Sequence, residues 1–153
     1  MMWFSISYVK RNLYGKPVYL RDEESLLFEP WQQCDFAIMI GAAYTSLDVD
    51  IESGQAVGFS GFNPQRIWVK HRLSPPKAEI GKLLVHTDKE MMRGTGVDYA
   101  ENWKTFYDDQ TKWICMSENL LFDNCDHVLF ANDTIASLKG TELVAIWAKI
   151  EMK

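Results

Sequence analysis

Long apolar runs are missing from this 153-residue chain. The longest, FAIMIGAA from Phe36 to Ala43, is less than half of the roughly 20 residues that a membrane-spanning helix needs. Cysteine is scarce: Cys34, Cys115 and Cys125 are an odd set with no CxxC pair, which excludes a disulfide framework and a zinc knuckle and leaves buried free thiols. A basic excess is missing too, since the net charge is −5, and an acidic surface repels nucleic acid. No repeat or low-complexity tract occurs, and the one linker-like stretch, LSPPK at Leu73 to Lys77, is too short to divide domains. One globular domain over 1–153 is expected. In MMWFSISYVKRN the positive charge follows the apolar residues, the reverse of a secretory leader, so the expected compartment is the cytoplasm, with no membrane partner.

Catalytic signatures are equally thin. GFSGF is not a nucleophile elbow, because Phe62 stands where the second glycine belongs. DVDIESG is out of step with a calcium loop: Gly54 comes six places after Asp48 rather than five. GTG at Gly94 to Gly96 lacks the third glycine of a dinucleotide fingerprint. His71, His86 and His127 lie in separate runs without metal-ligand spacing, and Cys125 near His127 has no third catalytic group beside it in the sequence. No catalytic residue, metal or cofactor is expected, and the chain reads as a non-enzyme.

What is abundant is strand-length sequence. WFSISYV, DFAIMI, SLDVDI, QAVGFSGF, RIWVKHRL, EIGKLLVH, TKWICMS, DHVLFA and ELVAIWAKI alternate or are rich in β-branched and aromatic residues, and most are separated by Gly, Pro, Asn or Asp. The pattern predicts a mainly β (α+β) protein: a single antiparallel β-sheet domain, sandwich or half-barrel, with one or two short helices. The first helix is expected over Asp98 to Tyr107, where Asp98 and Glu101 make a capping box and Tyr99, Trp103, Phe106 and Tyr107 fall at helical spacing. The second is DEESLLFEPW, from Asp22 to Trp31, with acidic residues in its first turn.

Between SLDVDI and QAVGFSGF, a three-residue loop Glu52-Ser53-Gly54 with a left-handed glycine predicts Val49 opposite Val57 and Leu47 opposite Phe59. Asp48 then faces Gly58 and Asp50 faces Ala56 on the other side. A third strand carrying Trp68, Lys70 and Arg72 is expected alongside, so that bases meet Asp48 and Asp50 across a floor of small residues. That arrangement is either a solvated charge ladder or a shallow groove for a small polar ligand.

The succession FAIMIGAAYTSLDVDIESGQAVGFSGFNPQRIWVKHRL, GKLLV, TKWIC and ELVAIWAKI resembles small bacterial immunity proteins, which protect a cell from contact-dependent toxins of its neighbours. The likeness covers the middle third of the chain well and the last third in patches. It implies a cytoplasmic protein that binds and neutralises a cognate toxin domain, such as a nuclease, by covering its active site or substrate-binding surface. The charge is consistent with a basic partner: residues 1–76 carry 7 basic and 8 acidic groups, whereas 77–153 carry 9 and 13. The expected partner-binding residues are therefore Tyr99, Glu101, Trp103, Tyr107, Asp108 and Asp109, with Asp123 and Asp126 in the following loop. The alternatives are a ligand-binding β domain using the Asp48/Asp50 and Trp68/Lys70/Arg72 groove, or an unrecognised hydrolase.

Overall fold

The computed structural model of the protein describes residues 1–10, 13–30, 32, 34–41 and 44–153. The period-two runs become strands β1 (Met2–Tyr8), β2 (Lys16–Leu20), β3 (Ser25–Glu29), β4 (Phe36–Ile40), β5 (Tyr44–Asp50) and β6 (Gln55–Phe62). A 3-10 turn, Gln65–Ile67, leads to β7 (Val69–Lys70), and then come β8 (Glu79–Thr87), β9 (Thr95–Ala100), β10 (Lys104–Tyr107) and β11 (Trp113–Ser117). The last four are β12 (Asp126–Ala131), β13 (Thr134–Lys139), β14 (Glu142–Lys149) and β15 (Glu151–Met152). All belong to one sheet, which curls into a half-barrel. Most pairs are antiparallel, and the parallel joints are β4 with β9, β7 with β10, β8 with β12, and β2 with β15.

The inner face of the curl holds the main core, including Phe4, Ile38, Leu47, Phe59, Leu83, Ile114 and Ile146. Strands β11 and β14 are buried on both faces. Ile114, Met116 and Ile146 point into the main core, while Cys115 and Trp147, opposite one another in the ladder, join Phe106, Ile135 and Leu73 in a second cluster. Double burial explains why ELVAIWAKI is nearly continuous in apolar residues instead of alternating. Loop residues Leu120 and Phe122 close the second cluster, with the Phe122 ring 5.2 Å from that of Trp147.

Neither expected helix is present; the 3-10 turn is the only helical element among the described residues. Over Asp98 to Tyr107 the chain forms the end of β9, a turn at Glu101 and Asn102, and β10. The aromatic spacing was ambiguous because this sheet buries both of its faces here. Trp103 and Tyr107 enter the main core while Phe106 enters the second cluster. Thr105, Phe106 and Tyr107 favour strand and find partners in Met116, Cys115 and Ile114 of β11. Where DEESLLFEPW suggested a helix, a tight turn at Arg21 to Glu24 joins β2 to β3, with Glu24 at φ 50°. The end of that segment, Trp31, lies outside the described residues.

The β5–β6 hairpin keeps part of the expected register: Leu47 faces Phe59 and Asp48 faces Gly58. Gly54 has φ 71°, as a left-handed turn glycine should. Its N–H donates to the Asp50 carbonyl at 2.8 Å, closing a loop one residue longer than expected. The extra residue is absorbed by a bulge, so Val49 pairs with Ala56 and Asp50 with Gln55. Val57, expected beside Val49, is turned to the Asp48 side instead, where it borders the same small depression as Asp48 and Gly58.

Candidate protein-binding site

The groove expected between Asp48/Asp50 and Trp68/Lys70/Arg72 is not assembled. The flank of β6 that a third strand would have used is taken by β3, at Ser25–Phe62 and Leu26–Gly61, and by β8, at Gln55–Leu84. After Phe62 the chain instead turns inward. Asn63 is buried: its side chain accepts from Trp68 Nε1 at 2.8 Å and donates to Thr105 Oγ1 at 3.0 Å, and its carbonyl accepts from Tyr19 Oη at 2.9 Å. This satisfied polar hub draws the Trp68 ring between Tyr19 and Tyr107, with ring centroids 4.8 and 4.9 Å away. Lys70 lies on β7 beside β10, and Arg72 is exposed next to Asp108 and Asp109.

Asp48 has hydroxyls for neighbours and, among the described residues, no ion pair. Ser46 Oγ and Ser60 Oγ donate to its two oxygens at 2.8 and 2.7 Å. Desolvation raises its pKa, opposed by those hydroxyls and by the Cys34 thiol. Asp50 accepts from Ser53 Oγ at 2.8 Å within the turn. The small floor residues serve packing: a Cβ on Gly58 would lie 2.1 Å from the Phe28 ring, so glycine is what lets Phe28 cover the strand.

Half of the expected partner-binding residues lie inside the fold. Trp103, Tyr107 and Asp108 are buried, and Tyr99 is half-buried with its ring edge-on to Phe4. Tyr99 Oη donates to the Leu143 carbonyl and accepts from the Leu143 N–H, both at 3.0 Å. Asp108 is a structural clamp: one oxygen accepts from the Leu73 N–H at 3.0 Å, the other from the Gln110 and Thr111 N–H groups at 3.0 and 3.3 Å. Those bonds, the Leu73 N–H first, hold its carboxyl below the usual range. At the end of a helix Asp108 would have been unfavourable; at a strand end it fastens a turn. Glu101, Asp109, Asp123 and Asp126 are exposed.

Glu101 and Asp123 lie within two positions of residues that line a cleft, whose other walls come from residues that the sequence did not point to. In the sheet, β14, β11 and β10 lie side by side, with Ser117 paired to Ala145 and to Lys104. The next residues at this end of the strands, Val144, Glu118 and Trp103, are therefore level. Together with Asn119, Leu121, Phe122, Lys139, Glu142 and Leu143 they line a cleft of about 160 Å³. The loop above it is fixed locally: Ser117 Oγ donates to the Asn119 carbonyl at 2.6 Å, and Asn119 Oδ1 accepts from the Leu121 N–H at 2.9 Å. Phe122 anchors this loop in the second cluster, which leaves Leu121 pointing outward, 77% exposed.

The cleft itself is lined by Glu118 and Glu142 with Lys139, and further charges lie along the segments that form it. The turn at Glu101, the loop from Glu118 to Asp126 and the β13–β14 hairpin contribute Glu101, Glu118, Asp123, Asp126 and Glu142, against Lys104 and Lys139. That balance of −3 is more than half of the chain's −5. Among the described residues, none of these seven groups stands in an ion pair; the pairs present involve Asp35, Glu24, Glu29, Glu52, Asp88 and Glu151. A sequence signal for the missed residues existed in SENLLFDNCD, where an apolar triplet sits within Asn, Asp and Glu. Leu120 and Phe122 are partly buried and Leu121 is not.

The three histidines make separate polar contacts. His86 Nε2 meets Ser5 Oγ at 2.7 Å, His127 Nδ1 meets Ser137 Oγ at 2.7 Å, and His71 Nδ1 meets the Arg72 carbonyl at 2.6 Å, in separate places. No group of three or more His, Cys, Asp or Glu able to hold a metal ion occurs among the described residues. Burial pushes the Cys34 and Cys115 thiols up to about 11 and about 12, far from thiolate reactivity. No helix among the described residues is long and apolar enough to cross a membrane. Comparison with protein-family models and with curated proteins finds no match to this chain.

Proposed function

We propose that this is a cytoplasmic immunity protein: a non-enzymatic inhibitor that binds a cognate bacterial toxin domain with a basic surface and covers its active site or substrate-binding face. The observation that carries the proposal is Leu121, held out at 77% exposure in a loop whose neighbours are carboxylates without ion pairs. An exposed apolar anchor ringed by unneutralised charge is the make-up of a protein-binding hot spot. The anchor supplies desolvated contact, and the charges steer the partner and exclude wrong ones. The resemblance of the central hairpin region to immunity proteins supplies the class of partner. The contact surface is the loop from Glu118 to Asp126 with Glu101 and Glu142, in place of the aromatic residues that the core has absorbed.

Full burial of a leucine side chain is worth about 1.5–3 kcal/mol, so its loss weakens a complex by roughly 10- to 150-fold. Affinity capture against candidate toxin domains, read by interferometry, tests the proposal. Leu121→Asp is expected to reduce capture by at least tenfold while the thermal midpoint stays within a degree or two of wild type. Glu118→Lys is expected to slow association, most at low salt. If a toxin domain is captured and Leu121→Asp holds it as tightly as wild type, the contact surface lies elsewhere.

A further inference from the structure

Strand β9 ends the branch β6–β5–β4–β9 of the sheet: it pairs with β4 and, among the described residues, with no other strand. One row of apolar side chains crosses all four strands, since Phe59 faces Leu47, Leu47 faces Ile38, and Ile38 faces Val97. The first three are fully buried, whereas Val97 is 39% exposed, because no further strand among the described residues extends the row. The backbone edge is equally unfinished. The Gly94 N–H donates to the Asp35 carbonyl on the β4 side at 2.8 Å, while the Thr95 N–H donates to the Met92 carbonyl at 3.3 Å and so points away from β4. Residues two apart in a strand turn their N–H and C=O groups to the same edge, so those of Val97 face outward as well. Outside the β4 ladder no bond to the Val97 backbone occurs among the described residues. Edge strands are normally blunted by proline, by lysine or by a covering segment. Thr95, Gly96 and Val97 supply neither residue type, and all three are exposed.

We propose that β9 is a self-association edge, which pairs antiparallel with β9 of a second copy of this chain about a two-fold axis through Val97. An open row of N–H and C=O groups is completed by another extended backbone, so the occupant is a strand. The sequence of β9 selects its own copy. With Val97 opposite Val97, the two residues exchange both N–H···O bonds, and the apolar row runs on from Ile38 through both valines to Ile38 of the second copy. Asp98, the one charged residue of β9, then falls opposite Gly96, which has no side chain to crowd it. Beyond the strand the same two-fold brings Arg93, 65% exposed, towards the exposed Glu101 of the other copy, so opposite charges flank the contact on both sides. Other registers are worse: a shift of one residue sets Val97 against Asp98, and a two-fold through Asp98 sets like charges face to face. The contact presents the same surface on both copies and therefore closes at two. It stands on the edge of β9 alone and is independent of the immunity reading.

Sedimentation velocity over a concentration series tests the edge. A monomer–dimer equilibrium with half-assembly on the order of 0.1 mM is expected, because one strand pair is at the small end of protein interfaces. Val97→Lys sets cation against cation at the axis and should weaken the dimer at least about tenfold. Amide exchange of the unmodified protein gives a second reading: the Val97 N–H should slow as concentration rises, while the Gly96 N–H, which faces β4, should not change. Mild oxidation of Val97→Cys should give a covalent dimer, with the wild-type chain as the control for its native thiols, because paired Cα atoms lie about 5.5 Å apart. Asp98→Cys, offset from its counterpart by two residues along the strand, should exceed the roughly 7 Å that a disulfide spans and stay monomeric. A monomer throughout the series, a dimer indifferent to Val97→Lys, or Val97 exchange that ignores concentration would overturn the proposal. Cross-linking through Asp98→Cys in preference to Val97→Cys would overturn the register and with it the two-fold. Protection of the Val97 N–H by a captured toxin domain, without any dimer, would assign the edge to a foreign strand and overturn self-association.

Discussion

Placing a methyl group on Gly58 tests the packing of the central hairpin. In Gly58→Ala the new Cβ lies 2.1 and 2.5 Å from two Phe28 ring carbons, where ordinary contact begins at 3.4 Å. The ring therefore has to move by more than about 1 Å. It is hemmed in by Phe59, edge-on at 5.0 Å, and by the backbone turn at Gly15, whose ideal Cβ position is only 3.3 Å from the same ring. Overpacking of this kind costs about 1–3 kcal/mol. Partial loss of the edge-to-face contact adds about 0.5–1 kcal/mol. Against this, alanine restricts the unfolded chain and returns about 0.4–1 kcal/mol. A net destabilisation of about 1–3 kcal/mol is expected in urea titrations followed by tryptophan fluorescence, with an unchanged slope. Phe28→Leu removes the obstructing ring, so Gly58→Ala in that background should cost less than half as much, a coupling that a double-mutant cycle measures directly. Equal costs in the two backgrounds would mean that Phe28 is not the reason for glycine at this position.

Asn63→Ala strips the half-buried Trp68 indole N–H and the buried Thr105 hydroxyl of their partner and should cost about 2–4 kcal/mol by the same titration. Asp48 has a raised folded-state pKa, so the fold binds its proton more tightly than the unfolded chain does. Relative to Asp48→Asn, wild type should therefore gain stability as pH falls through that raised value towards the ordinary carboxylate range, and the difference should level off above it. A difference running the other way would put a base near Asp48. Asp108 is the opposite case: its lowered pKa makes a contribution present above the ordinary carboxylate value and lost as pH falls through the folded-state value. Asp108→Ala should accordingly expose the Leu73 N–H, read as faster hydrogen exchange there.

Much of the β architecture can be read without coordinates. Strand-length runs punctuated by Gly, Pro, Asn and Asp signal β structure because alternation is a property of each segment alone. The Gly54 turn and the pairings Leu47–Phe59 and Asp48–Gly58 follow because one short loop confines the choice of register. Even there a single bulge, invisible in composition, turned Val57 to the other face. The stretch from Asp98 to Tyr107 carried a sound helical signal, and only the presence of cores on both faces of β10 made strand the better use of Trp103, Phe106 and Tyr107. Which strands flank β6 was likewise undetermined locally. Once β3 and β8 fill that place, Lys70 and Arg72 have no route to Asp48, and the expected groove dissolves. The candidate site illustrates the same limit. Trp103 was within reach of aromatic counting, but Glu118, Leu121 and Glu142 join it only because β10, β11 and β14 end level with one another. Local patterning specifies which face of a strand is apolar; pairing between distant segments is selected by the total burial of the sheet, and no window along the chain contains that sum.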